Sequence, residues 1–141
     1  MIVLDTNVIS ELFRRAPAPQ VIDWLSTLSD DVAITSITLA ELLAGARQLP
    51  EGRRRPELLQ RITATAEPYR GTGAVLPFDE AAARCYADVL AAREAAGAPI
   101  SSAVAQIAAI CRAHHATCAT RNVKDFEHTG VTLINPWSLP T

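Results

Sequence analysis

Short, unbroken apolar runs separated by segments with helical spacing are the feature that most constrains the fold of this chain. The first run, Ile2–Leu4, ends abruptly at Asp5. Continuous rather than alternating apolar residues are typical of strands covered on both faces in a parallel sheet. Similar runs occupy 32–34, 74–76, 116–119 and 131–134. The pattern predicts a single α/β domain over residues 1–141, with a parallel sheet of four to five strands and helices on both faces.

Apolar stripes and capping residues predict the helices between these runs. Two short stripes lie within 8–12 and 21–28, and Pro17 and Pro19 separate them. The later helices are predicted to begin at a capping box formed by Thr38 and Glu41, near Glu57, after Asp79, and after Ser101 or Ser102. They are predicted to end before Pro50, near Tyr69 and before Gly97, while the last has an apolar body over 103–111 that is interrupted only by Gln106.

Composition excludes some classes of function. Of 141 residues, 13 are basic and 15 acidic, so the net charge of −2 gives no reason to expect the tight duplex binding of a basic transcription factor. Three widely spaced cysteines lack the pairing of a zinc or redox site, which favours reduced thiols. The chain has neither a secretory signal pattern nor a window of roughly 18 apolar residues. We expect a cytoplasmic protein that does not enter a membrane.

Two carboxylates stand where a parallel α/β sheet places its working site, beyond the carboxyl ends of the strands. Asp5 ends the first strand, and it can serve as a helix cap or as a group directed into a cleft. Glu41 can complete the capping box with Thr38, or it can face Asp5 and help to hold a hard divalent cation. The spacing alone leaves these alternatives open.

The segment 119–126 follows the fourth strand and carries several polar residues. Thr120, Asn122 and Asp125 offer oxygen ligands or caps. Arg121 and Lys124 offer contacts to phosphate. Taken singly, each of these residues is more often part of a turn or a cap.

Five segments in order resemble the PIN-domain ribonucleases, and most of all the VapC and FitB toxins of bacterial toxin–antitoxin pairs. They cover essentially the whole chain, so that the single domain predicted over 1–141 corresponds to one PIN domain. The segments are Leu4-Asp-Thr-Asn-Val-Ile-Ser-Glu-Leu12, Ser36-Ile-Thr-Leu-Ala-Glu-Leu-Leu-Ala-Gly45, Pro99-Ile-Ser with Ala105-Gln-Ile-Ala-Ala109, Ala119-Thr-Arg-Asn-Val-Lys-Asp-Phe126, and Ile134-Asn-Pro-Trp137.

The resemblance implies an endoribonuclease that uses Mg²⁺ or Mn²⁺ to activate water for attack on an RNA phosphodiester. It implies that Asp5 and Glu41 are metal ligands and that Thr6 and Thr120 supply supporting hydroxyls. Asn122 or Asp125 would provide the fourth acidic position. The family also implies a homodimer and a cognate antitoxin of the VapB or FitA kind, whose tail places an arginine in the acidic cleft.

The third acidic position of the family is where this sequence departs, because Val104 aligns with it. No change of register supplies the acid, since the chain has no Asp or Glu between Glu94 and Asp125. Asn122 likewise stands where many relatives carry Asp. A natural loss and an introduced substitution would both leave this pattern. We expect the missing carboxylate to weaken metal binding strongly.

Three functions follow from these residues. The first is a toxin-type ribonuclease impaired by Val104. The second is a catalytically silent protein that sequesters antitoxin or takes part in operator repression. A phosphatase of the haloacid dehalogenase kind would use Asp5 as nucleophile, but it needs a second Asp where Asn7 stands.

Other polar and aromatic residues have mainly structural interpretations. The arginines at 47, 53–55 and 61 could follow RNA phosphates, although a solvated surface is the commoner role of such a run. His114, His115 and Cys118 lack the spacing of a zinc site. The aromatic residues, Trp137 among them, are scattered along the chain, which favours places in the core over a platform for stacking bases.

Overall fold

The computed structural model describes residues 1–66 and 75–139. Within them, five strands form one parallel sheet in the order β3-β2-β1-β4-β5. The strands are β1 (Ile2–Leu4), β2 (Val32–Thr35), β3 (Val75–Leu76), β4 (Thr117–Ala119) and β5 (Leu133–Ile134). This confirms the predicted α/β class and the predicted parallel sheet. Position 74, which was predicted to begin the third strand, lies outside the described residues.

The described part of the chain has seven helices. They are α1 (Thr6–Leu12), α2 (Pro19–Ser26), α3 (Ser36–Arg47), α4 (Arg54–Ala66), α5 (Glu80–Ala95), α6 (Ser102–Ala113) and α7 (Val123–Phe126). Helix α4 begins three residues before the predicted start at Glu57, and the predicted end near Tyr69 lies outside the described residues. None of these helices is long and apolar enough to cross a bilayer.

Helices cover both faces of the sheet, as the unbroken apolar strands predict. Val3 of β1 packs into a core formed mainly with α5 and α6, including Val89 and Ile107. Its neighbour Leu4 points to the opposite face and packs with α1 to α4, for example against Val8. Because successive side chains of a strand point to opposite faces, a strand covered on both sides is apolar throughout.

Strand order reverses beside β1. The chain passes from β1 to β2 and β3 on one side, and β4 and β5 lie on the other. The register pairs Leu4 with Ala119, so that β1 and β4 end side by side. Ligands of open parallel α/β sheets bind in the crevice at such a reversal. The residues that follow these two strands, Asp5 and Thr120, therefore meet at that crevice.

Side-chain caps mark the starts of α5 and α6. Asp79 accepts a hydrogen bond from the Ala82 amide at 3.0 Å, and Ser101 accepts one from the Val104 amide at 3.3 Å. Helix α5 ends before Gly97, whose φ of 69° lies in the left-handed region that glycine adopts without steric cost. These predicted boundaries are confirmed, and Ser101 rather than Ser102 is the cap.

The predicted capping box of Thr38 and Glu41 is wrong. Helix α3 follows β2 directly, and its cap is Thr35, whose hydroxyl accepts from the Thr38 amide at 3.0 Å. Thr38 thus lies within the first turn and is buried. Glu41 is free of the capping role and is available to the crevice.

Candidate active site

Asp5 is a buried carboxylate at the end of β1, with only 6% of its surface exposed. Its Oδ1 accepts from the Thr6 amide at 2.8 Å, so it caps α1. Its Oδ2 accepts from the Thr120 hydroxyl at 2.8 Å and from the Asn7 amide group at 3.3 Å. A carboxylate has about four acceptor positions, and these bonds occupy three. Asp5 therefore combines the cap and cleft roles, and it retains capacity for one more electropositive partner.

Thr120 is fully buried and saturated with hydrogen bonds. Its hydroxyl donates to Asp5 and accepts from the Asn122 amide at 3.0 Å and from Asn7 Nδ2 at 3.3 Å. One donor and two acceptor lone pairs are all that a hydroxyl has. The network fixes the orientation of the Asp5 carboxylate before any ligand binds.

Glu41 is joined to Asp5 through one residue. The Thr6 hydroxyl lies 2.8 Å from Glu41 Oε1, while the Thr6 amide donates to Asp5. The Thr6 and Thr38 hydroxyl oxygens lie 3.0 Å apart. Because a carboxylate can only accept, Thr6 donates to Glu41, and its oxygen remains available to accept from Thr38. Glu41 itself is exposed, so one acid of this pair is buried and the other faces solvent.

The surroundings of Asp5 disfavour its charged form on balance. Burial raises its pKa above the ordinary value of 3.8, whereas the hydrogen bonds from Thr120 and Thr6 lower it. The negative charges of Glu41 and Asp125 raise the pKa further. A buried carboxylate beside like charges is relieved by a cation as well as by a proton.

A cavity of about 530 Å³ opens in front of these groups. Its walls come from α1, α3, the first half of α6, the loop after β4 and the C-terminal segment. Its lining residues are Asp5, Thr6, Asn7, Ser10, Glu11, Arg14, Glu41, Ser101, Ala103, Val104, Ile107, Arg121, Asn122 and Trp137. Val104 is half-buried in this wall, which places its side chain at the cavity that Asp5 and Glu41 also line.

The other predicted site residues are only partly brought together. Asn122 and Arg121 line the cavity. Asp125 is exposed and lies close enough for its charge to act on Asp5, but it is not among the lining residues. Lys124 is exposed on α7 outside the lining, so the structure gives it no position in the cavity.

Eight of the lining residues are not among the predicted site residues, and three of these eight, Asn7, Glu11 and Trp137, bear most on the site. Asn7 lies in the first motif and at the position where a phosphatase would need a second Asp, and its place two residues after Asp5 is the signal that marks it. Glu11 was overlooked because nothing in the sequence distinguishes it from a surface acid. Trp137 is predicted to lie in the core, and it does pack partly against the core, but it also lines the cavity because β5 brings the C-terminal segment alongside β4.

Glu11 has a partner set that explains its burial. It is 4% exposed and accepts from the Ala18 amide at 2.9 Å and from Arg14 at 3.2 Å. The hydrogen bond from Ala18 is the largest influence and lowers the pKa of Glu11, while burial opposes it and Arg14 assists. Glu11 therefore ties α1 to the start of α2 as an ionised group.

A second cavity, of about 680 Å³, adjoins the first and shares Thr6, Ser10, Arg14 and Glu41 with it. Arg15, Arg54 and Arg61 also line it. Arg61 lies over the Phe13 ring, with its Cζ 5.2 Å from the ring centroid, and donates to the Leu12 carbonyl at 3.3 Å. Of the arginines that the sequence offers as candidates for RNA binding, those at 54 and 61 line this cavity, whereas those at 47, 53 and 55 do not.

The donor set fits a hard cation that keeps much of its water. Within residues 1–66 and 75–139 no group of three or more His, Cys, Asp or Glu side chains forms a metal-binding cluster. Mg²⁺, however, is commonly held by one or two carboxylates, with waters and substrate phosphates completing its shell. Asp5 and Glu41 meet that minimum, and the Thr6 hydroxyl lies between them.

Fold and site together define a class: a parallel α/β domain with an acidic cleft where its strand order reverses. Comparison with known proteins then identifies a family within this class. The family model described as PIN domain matches residues 2–131. The chain is 41% identical over 138 residues to VapC ribonuclease Y4jK of Sinorhizobium fredii, covering 97% of this chain and 98% of that protein. It is 39% identical to toxin FitB of Neisseria gonorrhoeae, covering 97% of this chain and 99% of that protein.

The structural comparison agrees. The solved structure of FitAB bound to an IR36 DNA fragment contains a chain that superposes with a TM-score of 0.91 at 38% identity, covering 100% of this chain and 99% of that one. This chain belongs to the PIN domain family, and its relatives include VapC and FitB toxins.

Proposed function

We propose that this chain is the toxin of a toxin–antitoxin pair and a metal-dependent endoribonuclease whose activity is impaired by Val104. The observation that carries the proposal is the link of buried Asp5 to Glu41 through Thr6, in the lining of a cavity at the strand-order reversal. Ribonuclease activity in the relative named VapC ribonuclease Y4jK supports it.

Mg²⁺, or Mn²⁺ in its place, is the proposed cofactor, held by Asp5 and Glu41. When bound, such an ion lowers the pKa of water and offsets charge on phosphate oxygens. The residues of the chain orient the ligands: Thr120 and Asn7 fix Asp5, and Thr6 fixes Glu41. Asn122 at the cavity wall and Asp125 nearby are the candidates for the fourth acidic position.

Val104 is the reason for proposing impairment. Its side chain lines the cavity that the two acids also line, and a carboxylate at this position is the proposed third oxygen ligand. A valine offers none. Because Mg²⁺ relies on few protein oxygens, the loss of one of three is expected to weaken the metal strongly.

The proposed partners are RNA, a second copy of the chain and a cognate antitoxin of the VapB or FitA kind. A chain similar to this one occurs in a FitAB structure, which supports an antitoxin partner. An arginine of that partner could pair with Asp5 or Glu41 in the cavity. We place the protein in the cytoplasm.

The second candidate function is that of a silent protein, which binds antitoxin or takes part in operator repression without cutting RNA. Val104 is also the observation that favours it. The neighbour in which FitAB is bound to DNA supports a role of this kind.

Cleavage of total cellular RNA separates the two. The purified chain, Val104→Asp, and Val104→Asp combined with Asp5→Asn are compared in Mg²⁺ and Mn²⁺, with chelator controls. We expect Val104→Asp to raise cleavage by orders of magnitude, because a water-activating metal lowers the barrier by several kcal/mol. Asp5→Asn should abolish the gain.

Two outcomes count against this account. If the unaltered chain cleaves as fast as Val104→Asp, the third carboxylate is dispensable and the proposed impairment is wrong. If no variant cleaves RNA in either metal, the silent binding protein is favoured.

A further inference from the structure

An arginine and a tryptophan form a stacked pair beside the acidic groups. Arg121 Cζ lies over the Trp137 ring, 5.1 Å from its centroid, and both residues line the same cavity as Asp5 and Glu41. Arg121 is exposed and Trp137 is half-buried. The guanidinium thus rests on the ring while remaining open to solvent.

The backbone fixes this pair relative to Asp5. Arg121 directly follows Thr120, and the Arg121 backbone amide donates to Asn7 Oδ1 at 3.2 Å. The Asn7 side chain donates in turn to Asp5 through its Nδ2. The Thr120 amide donates to the Ile134 carbonyl at 2.9 Å, which anchors the segment leading to Trp137. The Trp137 amide donates in turn to Asn135 Oδ1 at 3.0 Å. The pair therefore stands on two adjacent strand ends, next to the buried carboxylate.

Within residues 1–66 and 75–139 Arg121 forms no ion pair at 4.0 Å or less, although its charge is near enough to Glu11 to lower the pKa of that carboxyl. Trp137 packs in part against the core, and an exposed cation–π contact adds only about 0.5–1 kcal/mol, so neither contact requires the ring to line an acidic cavity as well. Proteins that bind single-stranded RNA do, however, stack its bases on aromatic rings and on the planes of arginine guanidinium groups. A cavity of about 530 Å³ lies within the size range of small-ligand pockets.

We propose that Arg121 and Trp137 form a nucleobase subsite, which stacks the base next to the phosphate that the proposed cation at Asp5 and Glu41 would bind. This rests on the proposed ribonuclease function and assigns to Arg121 a role beyond a phosphate contact. Stacking engages the face that every base has, so the subsite accepts purines and pyrimidines in a single strand without reading their edges.

Tryptophan fluorescence gives a direct test, because the chain has two tryptophans and Trp24 is buried in the core on α2. Trp24→Phe leaves Trp137 as the only reporter. Short oligo(A) and oligo(U) RNAs are titrated in Mg²⁺, with gels showing that they stay intact, and affinity is measured in parallel by anisotropy. We expect both RNAs to quench Trp137.

Substitutions in the pair should then weaken binding. Trp137→Leu should weaken both RNAs by about 5- to 150-fold, the range for loss of one base–aromatic stack of about 1–3 kcal/mol. Arg121→Lys keeps the charge but loses the plane, so it should reduce quenching more than the charge-removing control Arg84→Gln, which lies on α5 outside the cavity. Thermal melting checks that Trp137→Leu folds, and Arg121→Lys serves if it does not.

The failures are distinguishable. If RNA binds without quenching Trp137, and Trp137→Leu and Arg121→Lys bind RNA with the affinity of the unaltered chain, the proposed subsite is wrong. The ribonuclease proposal then stands. If only one of the two RNAs responds, stacking is not the mode of recognition. If neither RNA binds at all, both proposals fail.

Discussion

The buried Thr120 hydroxyl donates to Asp5 Oδ2 at 2.8 Å, across the boundary between two neighbouring strands. This bond links the segment after β4 to the carboxylate after β1, and it opposes the effect of burial on the pKa of Asp5. A substitution of Thr120 can therefore change the pKa of Asp5 without replacing an acidic residue.

Thr120→Val should raise the pKa of Asp5 further above 3.8, because it removes the donor while keeping the shape of the side chain. A carbon-13 NMR titration of the Asp5 carboxyl measures this directly. Thr120→Ser retains the hydroxyl and should leave the titration nearly unchanged. Equal midpoints for the valine and serine variants would show that the bond does not control this acid.

The raised pKa of Asp5 also predicts a pH dependence of stability. A carboxyl whose pKa is higher in the folded state contributes most below its unfolded value, here 3.8, and the contribution is lost as pH rises through the folded pKa. Urea unfolding of metal-free protein should therefore show the unaltered chain losing stability relative to Asp5→Asn across that window. The quantity to compare is how the stability difference between the two proteins changes with pH, because Asp5→Asn also alters hydrogen bonds and so shifts the stability at every pH. Parallel curves for the two proteins would contradict the raised pKa.

Glu11 predicts the opposite sign. Its pKa lies below the ordinary 4.5, so its contribution is present above that value and is lost as pH falls through the folded pKa. Glu11→Gln should lower the melting temperature at neutral pH, and the difference should shrink in acid. The matched control is Glu80→Gln, which removes an exposed acid that pairs with Arg84 in the first turn of α5 and should change stability by no more than about 1 kcal/mol. A pH-independent loss for Glu11→Gln would assign the effect to packing.

The sequence predicted the sheet well because a strand covered on both faces must be apolar throughout, and that requirement is local. Asp5 and Thr120 meet for the same reason, since the ends of parallel strands share one edge. The capping box predicted at Thr38 and Glu41 is wrong because an acid directed to a cleft can have the same spacing from a threonine as an acid in a capping box. Only the position of Thr35 at the junction of β2 and α3 separates the two.

Trp137 and Glu11 could not be placed from local pattern. Trp137 reaches the cavity because Ile134 pairs with Ala119, a contact between residues far apart in the chain. Glu11 is buried because the chain turns back to present the Ala18 amide to it. Both depend on tertiary contacts that residue type and spacing do not encode.

Val104→Asp tests the third acidic position by stability as well as by activity. Without metal, the added carboxylate lies at a cavity with Asp5 and Glu41 and should lower the melting temperature, because like charges repel and the position is half-buried. The control Val104→Asn introduces a side chain of nearly the same shape as aspartate but without its charge.

Mn²⁺ or Mg²⁺ should then restore the stability of the aspartate variant selectively, by about 2.7 kcal/mol when the free metal exceeds its dissociation constant 100-fold. Differential scanning calorimetry over a metal titration measures both effects. Equal metal stabilisation of the two variants would mean that position 104 contributes no ligand, and the loss of the acid could then no longer explain an impaired site.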